Sequence, residues 1–410
     1  MASLSGNAVV FTQGGPTAVI NASWVGVVQV LRDSSQVSGV YGALNGIDGI
    51  LGETFVDLQA QDEATLEAIA HTPATQLLST RHRPTVEDCA AMLDVFQKYR
   101  IRYVFGIGGN DTSETLDIIN DAAAEEDYEL RMFHIAKTVD CDLVENDHTP
   151  GYGSAARYVA NAFRGVDLDN RAFGGIYLGI CMGRHAGFLT AASALGRTIE
   201  SAGPHLVYVP EVPFDVDRFC RDVYGTYQRL GRCIAAASEG IEDRHKVPVL
   251  QALSRDALDA DSHGNVQLSG TGALADALIE RIKAHFAEQG VEKVRARGDT
   301  LGYIQRSFPD QSPVDRQEAL DLGRFAADKA LSGDVDGSCV IRRVSEAPYR
   351  TECALVPLKS VAGKTRLLPK EFINGDGNDV TEAFLQWGRP LVGELRPFGR
   401  LDLSKRVPSP

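Results

Sequence analysis

No stretch of the chain approaches the eighteen or more consecutive apolar residues that a membrane-spanning helix requires. The opening residues Met1-Ala2-Ser3-Leu4-Ser5-Gly6 lack a basic region ahead of the short apolar run from Ala8 to Phe11, so they read as neither a signal peptide nor an anchor. The seven cysteines form no CxxC pair and are odd in number, which argues against a zinc ribbon or a disulfide framework and fits a reducing cytoplasm. The nine histidines show no HExxH or paired spacing, and no Gly-x-Ser-x-Gly elbow is present, so hydrolytic zinc or serine chemistry has no support. Positive charge is also short. With 41 Lys and Arg against 55 Asp and Glu the net charge is −14, which excludes a general affinity for nucleic acid or anionic membrane. Small phosphate ligands remain open, because they need only a few arginines gathered in one cleft.

A chain of 410 residues is too long for one ordinary core, and a hydrophobic content of 44% supports two large ones. Strand-like runs are followed repeatedly by a glycine turn and then a helical pattern, the signature of an α/β fold. Strands are expected at 8–12, 102–107 and 132–136, with helices at 18–31 and 113–124. A second series has helices at 154–164, 187–195 and 217–230 and strands at 175–181, 206–210 and 232–237. The expectation is two Rossmann-like domains with mainly parallel sheets and a site in the cleft between them. One comprises residues 1–151 with about 306–355, the other 152–305 with about 356–410, and the segment 301–306 crosses between them.

The most informative run is Gly106-Ile107-Gly108-Gly109-Asn110-Asp111-Thr112-Ser113, which follows the apolar Tyr103-Val104-Phe105. Glycines at a strand end let the backbone approach an anion, and the following helix start offers free N–H groups to it. A carboxylate at Asp111 must then hold a metal ion or repel part of the ligand. Gly14-Gly15 makes a second turn of this kind, and two such turns on neighbouring strands can enclose one polyphosphate. The third glycine of a dinucleotide fingerprint is missing. Asp140 and Asp142 are two positions apart, so in an extended segment both would face one side, one suited to general base and the other to a metal or phosphate-bound water. Lys137 adds a cation able to neutralise a transferring phosphoryl group. Arg81, Arg83, Arg184, Arg297 and Arg306 lie beside glycines or near strand ends, and Glu239 can accept from sugar hydroxyls. Taken singly each is ordinary: a capped turn, a solvated Asx turn, a surface arginine.

Taken in order, Gly14-Gly15, Gly-Gly-Asn-Asp-Thr, Lys-Thr-Val-Asp-Cys-Asp, Met182-Gly183-Arg184, Ser-Glu-Gly and Leu301-Gly302-Tyr303-Ile304-Gln305-Arg306 followed by Asp315-Arg316 resemble the phosphofructokinase family from about residue 8 to 320, and its diphosphate-dependent branch within it. The resemblance implies diphosphate and fructose 6-phosphate as substrates, Mg2+ as cofactor, a cytoplasmic location, and a homodimer or homotetramer, since some phosphate ligands come from a neighbouring subunit. It makes the first domain the donor-binding one and the second the sugar-phosphate-binding one. Asp140 would be the base toward the sugar 1-hydroxyl, with Thr138 at that hydroxyl or the transferring phosphoryl group, and Gly15 and Arg81 at the donor. Met182, Gly183, Arg184 and Glu239 would contact the sugar, with Arg184 also steadying the transition state and, with Lys137 and Asp111, joining Asp140 in the catalytic set, and Arg297, Tyr303 and Arg306 would hold its 6-phosphate. The metal falls to Asn110, Asp111 and Asp142, although Asn110 replaces the family's usual aspartate. Cys141 and Ser307-Phe308 are further departures, and Phe308 is expected to reshape the sugar pocket. Asp111 stands where ATP users have glycine. Two unit charges about 4 Å apart at an effective dielectric near 20 repel by roughly 4 kcal/mol, about a thousandfold against a nucleotide. An ATP-dependent kinase and a non-catalytic sugar-phosphate sensor are the alternatives.

Overall fold

A computed structural model describes residues 4–253, 271–405 and 407. The first sheet has seven strands: β1 (Gly6–Thr12), β2 (Val37–Ala43), β3 (Phe55–Asp57), β4 (Ile101–Gly108), β5 (Arg131–Ala136), and, after the second layer has been built, β10 (Asp336–Glu346) and β11 (Tyr349–Val356). Between them in sequence come β6 (Gly175–Cys181), β7 (Leu206–Tyr208), β8 (Arg232–Ser238) and β9 (Ala296–Thr300), which form the second sheet. The orders are β11-β10-β5-β4-β1-β2-β3 and β7-β8-β6-β9. The four-stranded sheet is wholly parallel, while the larger one carries an antiparallel strand at each edge. The α/β class with mainly parallel sheets is as the sequence indicates.

The central strands are apolar on both faces because both faces are covered. In β1, Ala8 and Val10 belong to one core and Val9 and Phe11 to another. The first face is covered by the helices Ile20–Leu31 and Pro313–Ser332, the second by Val86–Lys98 and Asn110–Glu125. The second sheet repeats the arrangement. Ile234 and Ala236 of β8 point toward the helix Tyr152–Phe173, while Cys233, Ala235 and Ala237 point toward Val216–Leu230 and Ala273–Glu288. The C-terminal residues Leu368, Phe384, Trp387 and Leu391 complete the core on the helix 152–173 side.

Three local details differ from the pattern-based expectation. The helix expected from residue 113 starts at Asn110, because Gly109 is extended and places Asn110 and Asp111 in the first turn. The stretch expected as one helix over 187–195 is a short helix, Phe188–Ala192, followed by a 3-10 turn, Ser193–Gly196. Residues 301–306 turn and enter a one-turn helix, Ile304–Ser307. Among the described residues no helix is long and apolar enough to cross a membrane.

The helix Tyr152–Phe173 has no capping side chain of its own. Asp315 supplies one from a distant helix, accepting the N–H of Gly151 and of Ser154 at 2.8 Å each. Beside it lies a buried polar knot. His148 is hydrogen-bonded through Nδ1 to Asp147 at 2.8 Å and through Nε2 to Glu318 at 2.7 Å, while Tyr349 and Thr351 donate to Glu318 and Trp387 and Arg343 to Asp147. Burial pulls the His148 pKa down, but Glu318 and Asp147 more than reverse this and raise it to about 9. Burial pushes Asp147 up, and His148, Arg343 and Trp387 bring it down to about 2.

His148 therefore stabilises the fold fully below its unfolded pKa near 6.5 and loses that contribution as pH rises through about 9. Asp147 contributes above its unfolded value near 3.8 and loses it as pH falls toward 2. Replacing His148 by Ala strands two buried carboxylates, which should cost about 3 kcal/mol. Thermal melts should show the largest wild-type to His148→Ala gap near pH 5.5 and a much smaller one near pH 9.5; an equal gap at both would show that the charge on His148 contributes nothing.

Candidate active site

The C-terminal ends of β1, β4 and β5 lie side by side, since β4 pairs with both β1 and β5 in parallel. The loops leaving them enclose a cleft of about 250 Å3 that Gly15, Arg81, Asp111, Lys137, Thr138, Asp140 and Arg306 line. Arg81 arrives there because the loop before it pairs with the end of β1: Gln13 bridges Thr80, the Gly14 N–H donates to the Thr80 carbonyl at 2.9 Å, and the Ser79 hydroxyl donates to the Gly14 carbonyl. Arg306 lies close over Gly15, where a Cβ would stand 3.0 Å from the guanidinium carbon and push that side chain back by a few tenths of an ångström.

Lys137 is fully buried at the floor of the cleft. Its Nζ donates to the carbonyls of Gln13 at 3.0 Å and Gly15 at 2.8 Å, leaving one of three N–H groups for a ligand. Burial and the neighbouring Arg306 draw its pKa down to about 7 against the opposing pull of Asp142 and Asp140. Asp140 shows the converse. Burial, then Asp142 and Glu239, push its carboxyl up to about 7 against Arg306 and Lys137. Its N–H is bonded to the Thr138 hydroxyl at 3.1 Å, but its buried Oδ1 has no partner. Asp142 is also raised by burial, partly offset by a hydrogen bond with Thr138. The extended geometry expected for 140–142 is absent, because Cys141 sits at φ 58° and turns the chain. The two carboxylates nevertheless meet electrostatically across that turn.

Asp111 is half-exposed and bonded to Arg83 at 2.8 Å. The thousandfold repulsion expected of it assumed a less solvated, unpaired charge. With near-bulk dielectric the same separation gives about 1 kcal/mol, or roughly fivefold. Arg83, its partner, was visible in the sequence only as one more arginine.

Asn110 does not line the cleft. Its Oδ1 accepts the Asp111 N–H and its amide donates to the Lys364 carbonyl, so both polar ends are engaged elsewhere. Among the described residues no group of three or more His, Cys, Asp or Glu stands ready to hold a metal ion. A magnesium ion does not need one, since it usually takes one or two carboxylates and completes its shell with water and substrate phosphate oxygens. The partly buried Asp140–Asp142 pair fits that demand.

A second cavity, about 800 Å3, is lined by Arg184, His185, Glu211 and Gly240 with residues from the C-terminal segment. Here the Met-Gly-Arg and Ser-Glu-Gly loops are locked together, because a Cβ at Gly240 would lie 1.9 Å from the Arg184 carbonyl oxygen. The Met182 N–H donates to Gln305, the Gly183 carbonyl accepts the Ser238 hydroxyl, and the Glu239 N–H donates to the Cys181 carbonyl. Glu239 is buried and acts on Asp140 electrostatically. Arg306 stacks over Tyr303 at 4.5 Å, which aims it at Gly15 in the smaller cleft and away from the cavity of Arg184. Arg297 is exposed on the edge strand β9, with Nη1 on its own neighbour's carbonyl, and lines neither cavity. Phe308 packs on Tyr158 with ring centroids 4.8 Å apart and lines neither of these two cavities.

The arrangement sets a carboxylate with a raised pKa in a cationic anion cleft, within the electrostatic reach of the Ser-Glu-Gly loop that adjoins a roomier, mixed-charge cavity, a layout suited to phosphoryl transfer. The phosphofructokinase family profile matches residues 7–330. A curated protein of Rhodospirillum rubrum named pyrophosphate–fructose 6-phosphate 1-phosphotransferase is 50% identical over 393 residues, 96% of this chain and 95% of that protein. One of the same name from Halomonas elongata is 32% identical over 94% of this chain and 91% of its own. The crystal structure of a pyrophosphate-dependent phosphofructokinase from Marinobacter aquaeolei superimposes with a TM-score of 0.84 at 28% identity, covering 96% of this chain and 94% of that one.

An anion bound in the small cleft must recharge Lys137. Calorimetry with inorganic diphosphate should show affinity falling as pH rises through about 7, and at pH 8 a proton uptake that Lys137→Met lacks. Equal proton counts in the two proteins would remove Lys137 from the anion site.

Proposed function

The chain belongs to the phosphofructokinase family, and from that premise we propose that it transfers a phosphoryl group reversibly from diphosphate to the 1-hydroxyl of fructose 6-phosphate, giving fructose 1,6-bisphosphate and phosphate. The observation that carries the reading is Asp140, whose buried Oδ1 is unpartnered between Lys137 on the donor side and Glu239 on the acceptor side. An oxygen without a hydrogen bond in a dry site accepts a proton readily, which is what a general base toward an alcohol must do. Lys137, held by the Gly14–Gly15 turn, neutralises charge on the phosphoryl group in transfer. Arg306 faces the same point, so its assignment moves from the sugar's 6-phosphate to the transferring group. Arg184 lines the larger cavity, where the sugar phosphate is assigned.

Magnesium, held by Asp142 and diphosphate oxygens, would supply charge neutralisation on the donor. Its assignment to Asn110 is withdrawn, because both ends of that amide are engaged. Reversibility follows from chemistry: diphosphate and a sugar phosphate ester differ far less in transfer potential than ATP and that ester. On this reading the first half binds the donor and the second the sugar phosphate, and the reaction belongs to the cytoplasm. A homodimer would give a role to Arg297, which is exposed on a strand that, among the described residues, forms the edge of its sheet.

Pure protein should turn over diphosphate far better than ATP, and Asp111→Gly should shift the kcat/KM ratio toward ATP by at least about fivefold. ATP at full rate in the wild type would make it an ATP-dependent kinase, and inactivity with every donor would make it a sensor. Asp140→Asn should lower kcat by about 10²–10⁴ with sugar-phosphate binding retained in calorimetry; a loss of binding alone would assign Asp140 to recognition. If sites are shared between subunits, Arg297→Ala alone should lose activity and mixing it with Asp140→Asn protein should restore part; Arg297→Ala alone as active as the wild type would show that they are not shared through Arg297.

A further inference from the structure

The loop that carries Asp140 and Asp142 is held in an uncommon backbone shape. Cys141 at φ 58° and Glu145 at φ 63° are both left-handed without being glycine. Such residues cost on the order of 1–3 kcal/mol each and persist only where surrounding contacts hold them. The loop is anchored at both ends: the Lys137 N–H donates to the Gly108 carbonyl at 3.0 Å, and Thr138 bridges Gly151. Its middle, where the two carboxylates are displayed, is held from a segment more than two hundred residues away.

That hold is Arg366. Its backbone N–H donates to the Asp142 carbonyl at 2.7 Å. Its guanidinium Nη1 donates to the Asp147 carbonyl and approaches the Cys141 sulfur at 3.7 Å. The guanidinium carbon also lies over the Phe188 ring at 4.8 Å. Phe188 opens the short helix that follows the Met-Gly-Arg loop, and it is fully buried. One side chain thus touches the left-handed residue between the two aspartates, the carbonyl that closes the loop, and the element behind Arg184. The planar fork is suited to this, because it stacks on an aromatic ring while donating in its own plane. Two residues further on, the Leu368 N–H donates to Glu211 at 2.7 Å, and the same carboxylate oxygen accepts the Gly187 N–H at 2.9 Å, so the strap is fixed to the Met-Gly-Arg side independently of Arg366.

We propose that Arg366 is a positioning residue for the phosphoryl transfer: it locks the Cys141 turn so that Asp140 and Asp142 are presented to the cleft, and ties that turn to the loop that carries Arg184. It touches no substrate. Its effect on rate rests on the phosphotransfer reading, while its hold on the loop does not.

The test uses the full chain with Arg366→Gln, which keeps the backbone bond and removes the fork, and Arg366→Lys, which keeps the charge and one donor. A misplacement of catalytic groups by about 1 Å costs about 100-fold, so Arg366→Gln should lose about that much in kcat, with both KM values within about twofold. The melting temperature should fall by no more than a few degrees, and Arg366→Lys should recover a tenfold share of the loss. Loosening also uncovers a buried thiol. Mass-spectrometric labelling with iodoacetamide should rise several-fold at Cys141 in Arg366→Gln while Cys339, equally buried, stays protected. Unchanged kcat with Cys141 still protected overturns the proposal, as does a raised KM at unchanged kcat, which would make Arg366 a substrate ligand. A kcat loss accompanied by equal exposure of Cys339 also overturns it, as general unfolding. Were the wild type inactive with every donor, the phosphotransfer reading would fall, and the labelling contrast would alone decide whether Arg366 holds the loop.

Discussion

Opposite charges kept out of water at the floor of one cleft are the constraint from which the site follows. Lys137 is buried and Asp140 is partly buried with its Oδ1 covered, and burial moves the carboxyl up and the ammonium down, each to about 7. Neither is neutralised by a close ion pair. Lys137 directs two of its donors to the carbonyls of Gln13 and Gly15, and Asp140 keeps an oxygen unbonded. A buried polar group left in that state is costly, and the surrounding structure must be rigid enough to prevent its collapse onto a nearer partner. The bridges from Gln13 to Thr80 and from Thr138 to Gly151 supply that rigidity on either side.

Much of this was legible in the residues. The parallel sheets and their flanking helices follow from strand-turn-helix periodicity, because a doubly covered strand must be apolar through its middle, as β1 is at Ala8 to Phe11 and β4 at Tyr103 to Phe105. The cleft residues Gly15, Arg81, Asp111, Lys137, Thr138, Asp140 and Arg306 were all marked by glycines and charges at strand ends, where such sheets place ligands. Less legible was anything that depends on a side chain's distant partner. Asn110 looked like a metal ligand and is a backbone anchor for the Lys364 turn; Asp111 looked like a bare charge and is paired with Arg83. Neither partner has a fixed offset in sequence, so no periodicity reveals it. The segment 140–142 looked extended because alternation is the default expectation, whereas a single left-handed cysteine bends it.

The C-terminal third illustrates the same divide. Residues 358–392 carry no motif of their own, yet they contribute Leu368, Phe384, Trp387 and Leu391 to the core under the second sheet, Arg366 to the acidic loop and much of the wall of the larger cavity. A site that reads as the property of a few glycine turns is in fact finished by a tail that returns after both sheets are laid down.

The cap that Asp315 places on the helix 152–173 joins residues 161 and 164 positions apart. On a ribosome the helix emerges long before its acceptor, so its leading amides must stay with water or other transient partners until the later helix arrives. The second layer can therefore begin to assemble in order of synthesis but cannot finish in that order. A nascent fragment ending before residue 313 would have the four strands of the second sheet and five of the seven strands of the first, but not the carboxylate that caps the helix joining them.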